Sequence, residues 1–417
     1  MRNAPTCRPA VPRAAAGLAG EYREACRRSD ALFQLVASDA LSARPIPERH
    51  RLIFYLGHLE AFDWNLLAAY TLGWPRFHPG FDHLFSFGID PPPGQLPADQ
   101  PVDWPARSQI EAYNREVRLR LSAELERLPA GALAAAIEHR LMHLETLAYL
   151  LHQMAPQDKQ ISADPAAAGA KREAEWIAIP AGDACLGRRR SDAGFGWDNE
   201  YEAHVAPTPA FEISRYKVTN GEYLEFVRAG GPAPPFWRGN GPNSWRLLAM
   251  RGEVPLPLEA PVYLTQAQAS AYAAWRGARL PSEAEWQRAA YGPVAAGEAA
   301  REFPWGEEQP QPRHGNFDFQ RWDPAPVTAY PEGDSACGAR QMVGNGWEWT
   351  ETVFAPFPGF EPDGFYPGYS RNFFDGRHFV LKGAGPRTAA RLLRRSFRNW
   401  FRPEYPYVHA TARLARS

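Results

Sequence analysis

The 417-residue chain is 45% hydrophobic, 13% aromatic and 22% charged, with a formal net charge of −1. This is a globular composition with no electrostatic footprint for nucleic acid or an anionic membrane, and its length exceeds what one hydrophobic core serves, so two or three domains are expected. The start, Met1 to Pro9, shows no apolar h-region before a small-residue cleavage site, and no apolar run approaches the roughly 20 residues that span a bilayer.

The expected setting is therefore cytoplasmic, with no membrane or nucleic-acid partner. Cys7, Cys26, Cys185 and Cys337 form no CxxC pair, which favours free thiols over a disulfide framework or a Cys-ligated zinc. The 41 prolines and 14 tryptophans point to long, packed loops, a setting that often carries function.

Residues 1–17 read as a disordered N-terminus, and residues 18–160 read as helices. Apolar residues recur at helical spacing over Gly20–Val36. After the break at Pro45 and Pro47 they recur over Arg49–Tyr70; a proline-rich loop, Trp74–Pro105, then precedes helices over Ser108–Leu128 and Gly131–Met154. Four helices of this kind make a bundle, whose core commonly houses metal sites built from facing helices.

His139 and His143 are four residues apart and stack on one face of the last helix, beside an apolar stripe of Leu141, Leu144, Leu147, Leu150 and Leu151. Two imidazoles are half of a metal site, because nitrogen-donor sites need three or more protein ligands. Alone, such a pair is more often ordinary surface or core histidine. His58, flanked by Phe54, Leu56, Leu59 and Phe62, sits where a core residue is expected. It can supply a third nitrogen or be a hydrogen-bonded core histidine. His152 lies nine residues past His143, about half a turn round the helix, and is left out.

Residues 161–175 are small, polar and poor in apolar residues and read as a linker. From 176 to 417 the character changes. Short strand-like runs at Trp176–Pro180, Ala210–Ser214 and Phe379–Lys382 alternate with Gly/Pro/Asn loops, and helical patches occur at Asn220–Ala229 and Thr265–Trp275. A further short helix follows Ser282, whose spacing to Glu285 fits a capping box. The fold class expected is an α+β multidomain protein: a four-helix bundle followed by a loop-rich domain.

The second half contains, in order, Tyr216-Lys217-Val218-Thr219-Asn220, Arg279-Leu280-Pro281-Ser282-Glu283, Phe303-Pro304-Trp305-Gly306 and Gly344-Asn345-Gly346-Trp347-Glu348-Trp349. Together these resemble the formylglycine-generating-enzyme (sulfatase-modifying factor) fold, a loop-rich variant of the C-type lectin fold, over roughly residues 175–416. Formylglycine-generating enzymes carry copper on cysteines near the C-terminus; Tyr407–Arg416 has no cysteine, which disfavours that activity.

A DinB-type bundle with one His in a Gly-His-Leu helix and a later His-x-x-x-His, fused to this fold, resembles the ergothioneine sulfoxide synthases. The resemblance implies Fe(II) on His58, His139 and His143, O2 as co-substrate, and sulfur transfer to imidazole C2 of hercynine. Neutral imidazoles suit iron(II), and three protein ligands leave positions open. The resemblance further implies that Trp400 faces the trimethylammonium of hercynine, an aromatic face being a good partner for a quaternary ammonium. Asn399 would contact the substrate, Tyr366 would donate a proton and Tyr369 would supply a second hydroxyl. Core packing is the plain alternative for these rings.

Departures concern chiefly the chalcogen donor. Phe401 stands where sulfur-using relatives have an Asp, and the loop Phe85–Gly94 has no arginine; on the hercynine side, Met142 stands where a Gln is expected beside the second helix ligand, which removes one contact to the hercynine imidazole. A γ-glutamylcysteine donor would meet few charged partners here, and a neutral donor fits better. The pattern resembles the selenoneine synthase branch, which takes a selenosugar, and the segments Arg44–His50 and Phe54–Phe62 resemble that branch as well. A thiol donor, cysteine or γ-glutamylcysteine, is the close alternative. A lectin-like binding protein without chemistry is the alternative of another class, and zinc is the alternative metal.

Overall fold

The computed structural model describes residues 17–86, 96–162, 164, 169, 174–239, 241, 244–292 and 301–417. The expected disordered N-terminus up to residue 16, residues 87–94 of the loop Phe85–Gly94, and linker positions 163, 165–168 and 170–173 lie outside the described residues. Two compact units divide the chain, the first ending at Ser162.

The first unit is helical. α1 (Leu18–Gln34) buries Leu18, Tyr22, Ala25, Ser29 and Leu32 on one face, as an amphipathic helix at the surface of a core must. α2 (Leu52–Asp63) is different: every residue except Phe62 is buried, and a helix that is apolar all round belongs at a core's centre. It begins at Leu52 rather than at Arg49 because Arg51 is extended, with ψ 154°. It then widens into a π-helical segment, Trp64–Thr71, a distortion that recurs at functional sites.

Inside the stretch read as a loop lies a short helix, α3 (Pro79–Leu84), started by a proline and capped by His78, whose Nδ1 accepts the Phe81 N–H at 3.1 Å. α4 (Arg107–Ser122) ends six residues before the expected Leu128, and α5 (Ala130–Gln153) runs to the end of the unit. No helix among the described residues is long and apolar enough to cross a membrane.

A buried ionic network ties the bundle together. Arg140 of α5, fully buried, donates to Glu60 Oε1 (3.0 Å), Ser29 Oγ (3.0 Å) and Asp63 Oδ2 (2.5 Å). Tyr22 donates to Asp63 at 2.7 Å, and Arg118 bridges Glu60 and Asp30. Four helices thus share one set of charges.

The second unit is loop-rich α+β. β1 (Trp176–Ile179), β2 (Gly182–Leu186), β3 (His204–Thr208) and β4 (Phe211–Ser214) precede α6 (Asn220–Arg228). β5 (Trp237–Arg238), β6 (Arg246–Ala249) and β7 (Gly252–Pro255) lead to α7 (Gln266–Trp275) and α8 (Glu283–Tyr291). β8 (Gly346–Val353), β9 (Phe379–Ala384), β10 (Asn399–Phe401), β11 (Ala410–Thr411) and β12 (Ala415–Arg416) complete it. The central sheet has order β10-β9-β8-β11, with β11 parallel to β8 and the rest antiparallel. As the sequence predicts, Ser282 caps α8, its Oγ accepting from Glu285 N–H at 3.2 Å while Glu285 accepts from the Ser282 N–H at 2.8 Å. Described positions of the expected linker rest on this unit: the Asp164 carboxylate accepts the Asp323 N–H at 2.7 Å.

The tryptophan-rich motif on β8 is structural. Glu348, fully buried, accepts from Lys217 (2.6 Å), Trp286 Nε1 (2.7 Å) and Arg413 (2.9 and 3.0 Å). Three segments distant in sequence converge on one carboxylate, which satisfies both oxygens and offsets its desolvation. The preceding turn needs its glycines: Gly344 has φ 88° and Gly346 φ 140°, and a side chain at Gly344 would meet the Asn316 carbonyl at 2.8 Å.

Candidate metal centre and aromatic pocket

α2 and α5 bring His58, His139 and His143 together, with one ring nitrogen from each lying within 4.8 Å of the others. His58 and His139 are buried and His143 is half-buried. His58 Nε2 lies 3.1 Å from His143 Nε2. His58 Nδ1 lies 2.7 Å from the Phe85 carbonyl oxygen; a carbonyl only accepts, so Nδ1 carries the proton and Nε2 presents a bare lone pair.

Each ring is also held by an aromatic neighbour. Phe62 stacks on His139 with centroids 3.4 Å apart, Phe54 stacks on His58 at 4.8 Å, and Tyr55 lies 5.7 Å from His143. Burial pushes all three imidazoles down, His58 to about 4 and the other two well below the ordinary value, with their mutual proximity adding to the effect for His139 and His143. At neutral pH the cluster is thus uncharged, as metal ligation requires.

These residues fit a divalent metal. Three neutral nitrogen donors converge, and the Nδ1 atoms of His139 and His143 are buried with no hydrogen-bond partner among the described residues. Without an ion, only one N–H···N bond can join the facing Nε2 atoms. Imidazole sets of this kind take iron, zinc, copper or nickel. Met142, expected beside the ligands, is half-buried on α5.

In the second unit, Trp400 of β10 pairs with Val380 of β9. Its ring lies flat on Phe354, with centroids 4.2 Å apart and planes 6° from parallel. Tyr369 meets it edge-on at 5.5 Å and Phe373 is tilted at 5.6 Å. Tyr369 in turn stacks on Trp197 at 4.2 Å, and Tyr366 lies 5.6 Å from Tyr369. The loop that holds both tyrosines is anchored by Ser370, which donates to Asp198 and accepts from Asn199 Nδ2 at 3.0 Å. Asn399 turns its Oδ1 onto the Trp400 N–H at 2.9 Å. Phe401, one residue on in the strand, falls on the opposite face and stacks on Tyr405 at 4.8 Å.

The structure therefore joins the three histidines in one cluster, and Trp400, Tyr369 and Tyr366 in another, while Phe401 has separate company. Sequence reasoning named Phe62, Gly57 and Phe85 but gave them no part in holding the histidines, and it missed Phe354, Phe373 and Trp197 around Trp400. The part of Phe62 could have been found, this residue being four past His58 on the same face. Phe354 and Trp197 come from remote segments and leave no local signal.

Residues 162–417 match the sulfatase-modifying factor enzyme 1-like domain, and residues 21–155 match the DinB superfamily. A hercynine oxygenase of Mycolicibacterium smegmatis is 37% identical, the alignment covering 82% of each chain. A hercynine oxygenase of Mycobacterium tuberculosis is 42% identical over 55% of this chain and 58% of that protein. Ergothioneine biosynthesis protein 1 of Neurospora crassa is 27% identical over 92% of this chain and 56% of that protein. The chain thus spans little more than half the length of the last two. It belongs to the family of hercynine oxygenases and related ergothioneine sulfoxide synthase-like proteins, in which a DinB-type helical unit precedes a sulfatase-modifying-factor domain.

Proposed function

We propose that the protein is an iron(II)- and O2-dependent enzyme that joins a chalcogen to imidazole C2 of hercynine, with a selenosugar as donor, giving a selenoneine precursor. The observation that carries the reading is the convergence of His58, His139 and His143 as neutral donors. Iron(II) on these ligands would supply open positions for O2 and substrate and the electrons that activate O2.

The chain's own residues do the rest. Trp400, backed by Phe354 on one face, binds the trimethylammonium on its other side, with Tyr369 and Phe373 as neighbouring walls. Asn399 fixes the Trp400 backbone through its Oδ1 and offers its amide N–H group to the substrate. Tyr366 holds the proton that the oxidation step consumes. The replacement of an Asp by Phe401 and the absence of arginine from the loop Phe85–Gly94 favour a donor without a carboxylate pair.

The relatives named for ergothioneine biosynthesis favour a second reading, the same chemistry with cysteine or γ-glutamylcysteine. Turnover of hercynine with each donor, read by mass spectrometry, separates the two; product from thiols alone removes the selenosugar. Anaerobic iron reconstitution tests the metal. We expect roughly one iron per chain in the wild type and little in His139→Ala or His143→Ala. Iron content unchanged in both variants, or a site that holds only zinc and takes up no O2, would leave a binding protein or a hydrolase-type zinc site.

A further inference from the structure

We infer that Gly57 and Phe85 form a clamp that fixes the metal-binding tautomer of His58, making Gly57 a positioning residue; the inference deepens the metal reading above. Gly57 precedes His58 in the middle of α2. A Cβ added there would lie 2.7 Å from three atoms of the Phe85 ring, well inside van der Waals contact. The same residue's carbonyl accepts the His58 Nδ1–H at 2.7 Å. Ring and carbonyl of Phe85 thus grip two consecutive residues of the helix.

The ring cannot easily retreat. Phe85 is fully buried, with Trp104 stacked at 6.0 Å, Phe81 edge-on at 5.5 Å and Phe54 tilted at 6.4 Å. A methyl group at position 57 must therefore displace the Phe85 backbone and, with it, the carbonyl. Intrinsic propensity runs the other way, because alanine is favoured over glycine in a helix by about 1 kcal/mol. Glycine at the centre of a buried helix is thus explained by the approach of Phe85 and not by helix formation. Loss of the carbonyl would free His58 to put its proton on Nε2, the atom that faces His143.

Two measurements test the clamp. Long-range proton–nitrogen NMR on the metal-free wild type should show His58 as the Nδ1–H tautomer; an Nε2–H tautomer overturns the inference whatever the protein binds. Titration with Co(II), followed by its visible absorption, should show Gly57→Ala weakened by 10- to 100-fold, the range for losing an outer-shell partner of a metal-bound histidine. The double variant Gly57→Ala with Phe85→Ala keeps the backbone carbonyl and removes the obstructing ring, so it should recover most of the affinity. Wild-type affinity in a folded Gly57→Ala, or no recovery in a folded double variant, overturns the clamp. A wild type that binds no Co(II) defeats the metal reading instead, and the tautomer still decides the clamp.

Discussion

Trp400 and Phe354 share a parallel stack with centroids 4.2 Å apart, which gives the indole a packing role beside the cation-binding role proposed for it. The two roles can be separated. Trp400→Ala should raise the hercynine dissociation constant by roughly 2- to 30-fold, the range of a cation–π contact from exposed to desolvated. Trp400→Phe keeps a smaller ring and should fall between. Calorimetric titration with hercynine checks it: an unchanged dissociation constant in Trp400→Ala would place the ammonium elsewhere and assign Trp400 to packing alone.

Tyr366 is half-buried, its backbone N–H donating to the Asp363 carbonyl at 3.2 Å and its ring 5.6 Å from Tyr369. Tyr366→Phe preserves this backbone bond and the ring, so the variant should fold and retain its iron, while product formation slows by about 10²- to 10⁴-fold or diverts to another oxidised product, the range for losing a positioned proton donor. Product analysis by mass spectrometry reads both outcomes.

How far the sequence reaches differs between the two clusters. His139 and His143 were legible because helical period alone places them on one face, and His58 because an imidazole stood where α2 needs an apolar residue. The Gly57–Phe85 contact was not, because Phe85 caps the short helix α3, whose placement against α2 no period describes. The strand pairing that sets Trp400 against Phe354 depends on the order β10-β9-β8, which short strands between long loops do not announce. Glu348 was visible only as part of a motif; its role as acceptor for Lys217, Trp286 and Arg413 emerges when three remote segments meet. The helix α3 was hidden by its own brevity, with a proline at its first position that read as a loop signal.

Arg140 lies beside His139 in sequence but faces Glu60, Asp63 and Ser29. Removing it leaves Asp63 with the Tyr22 hydroxyl but no cation, and Glu60 with Arg118 alone. Arg140→Met should destabilise the helical unit by about 3–5 kcal/mol in urea unfolding. Adding Glu60→Gln and Asp63→Asn to Arg140→Met should recover part of the loss, because no uncompensated charge then remains. A loss under about 1 kcal/mol in the single variant would show that the network is not energetically linked to Arg140.

Asp363 supplies a pH-dependent element to the tyrosine loop. Burial, reinforced by the neighbouring Asp198 carboxylate, pushes its carboxyl up to about 7, and one of its oxygens is buried without a hydrogen-bond partner among the described residues. The folded state therefore binds a proton more tightly than the unfolded chain, whose aspartate titrates near 3.9. The stabilising contribution is complete below the unfolded value and is lost as pH rises through about 7. Asp363→Asn mimics the protonated form and removes this loss. Its melting temperature relative to wild type should be nearly equal at about pH 4, rise up to about pH 7 and level off above it. A difference that stays flat across that window would mean that Asp363 titrates as an ordinary carboxylate and that Asp198 does not feel its charge.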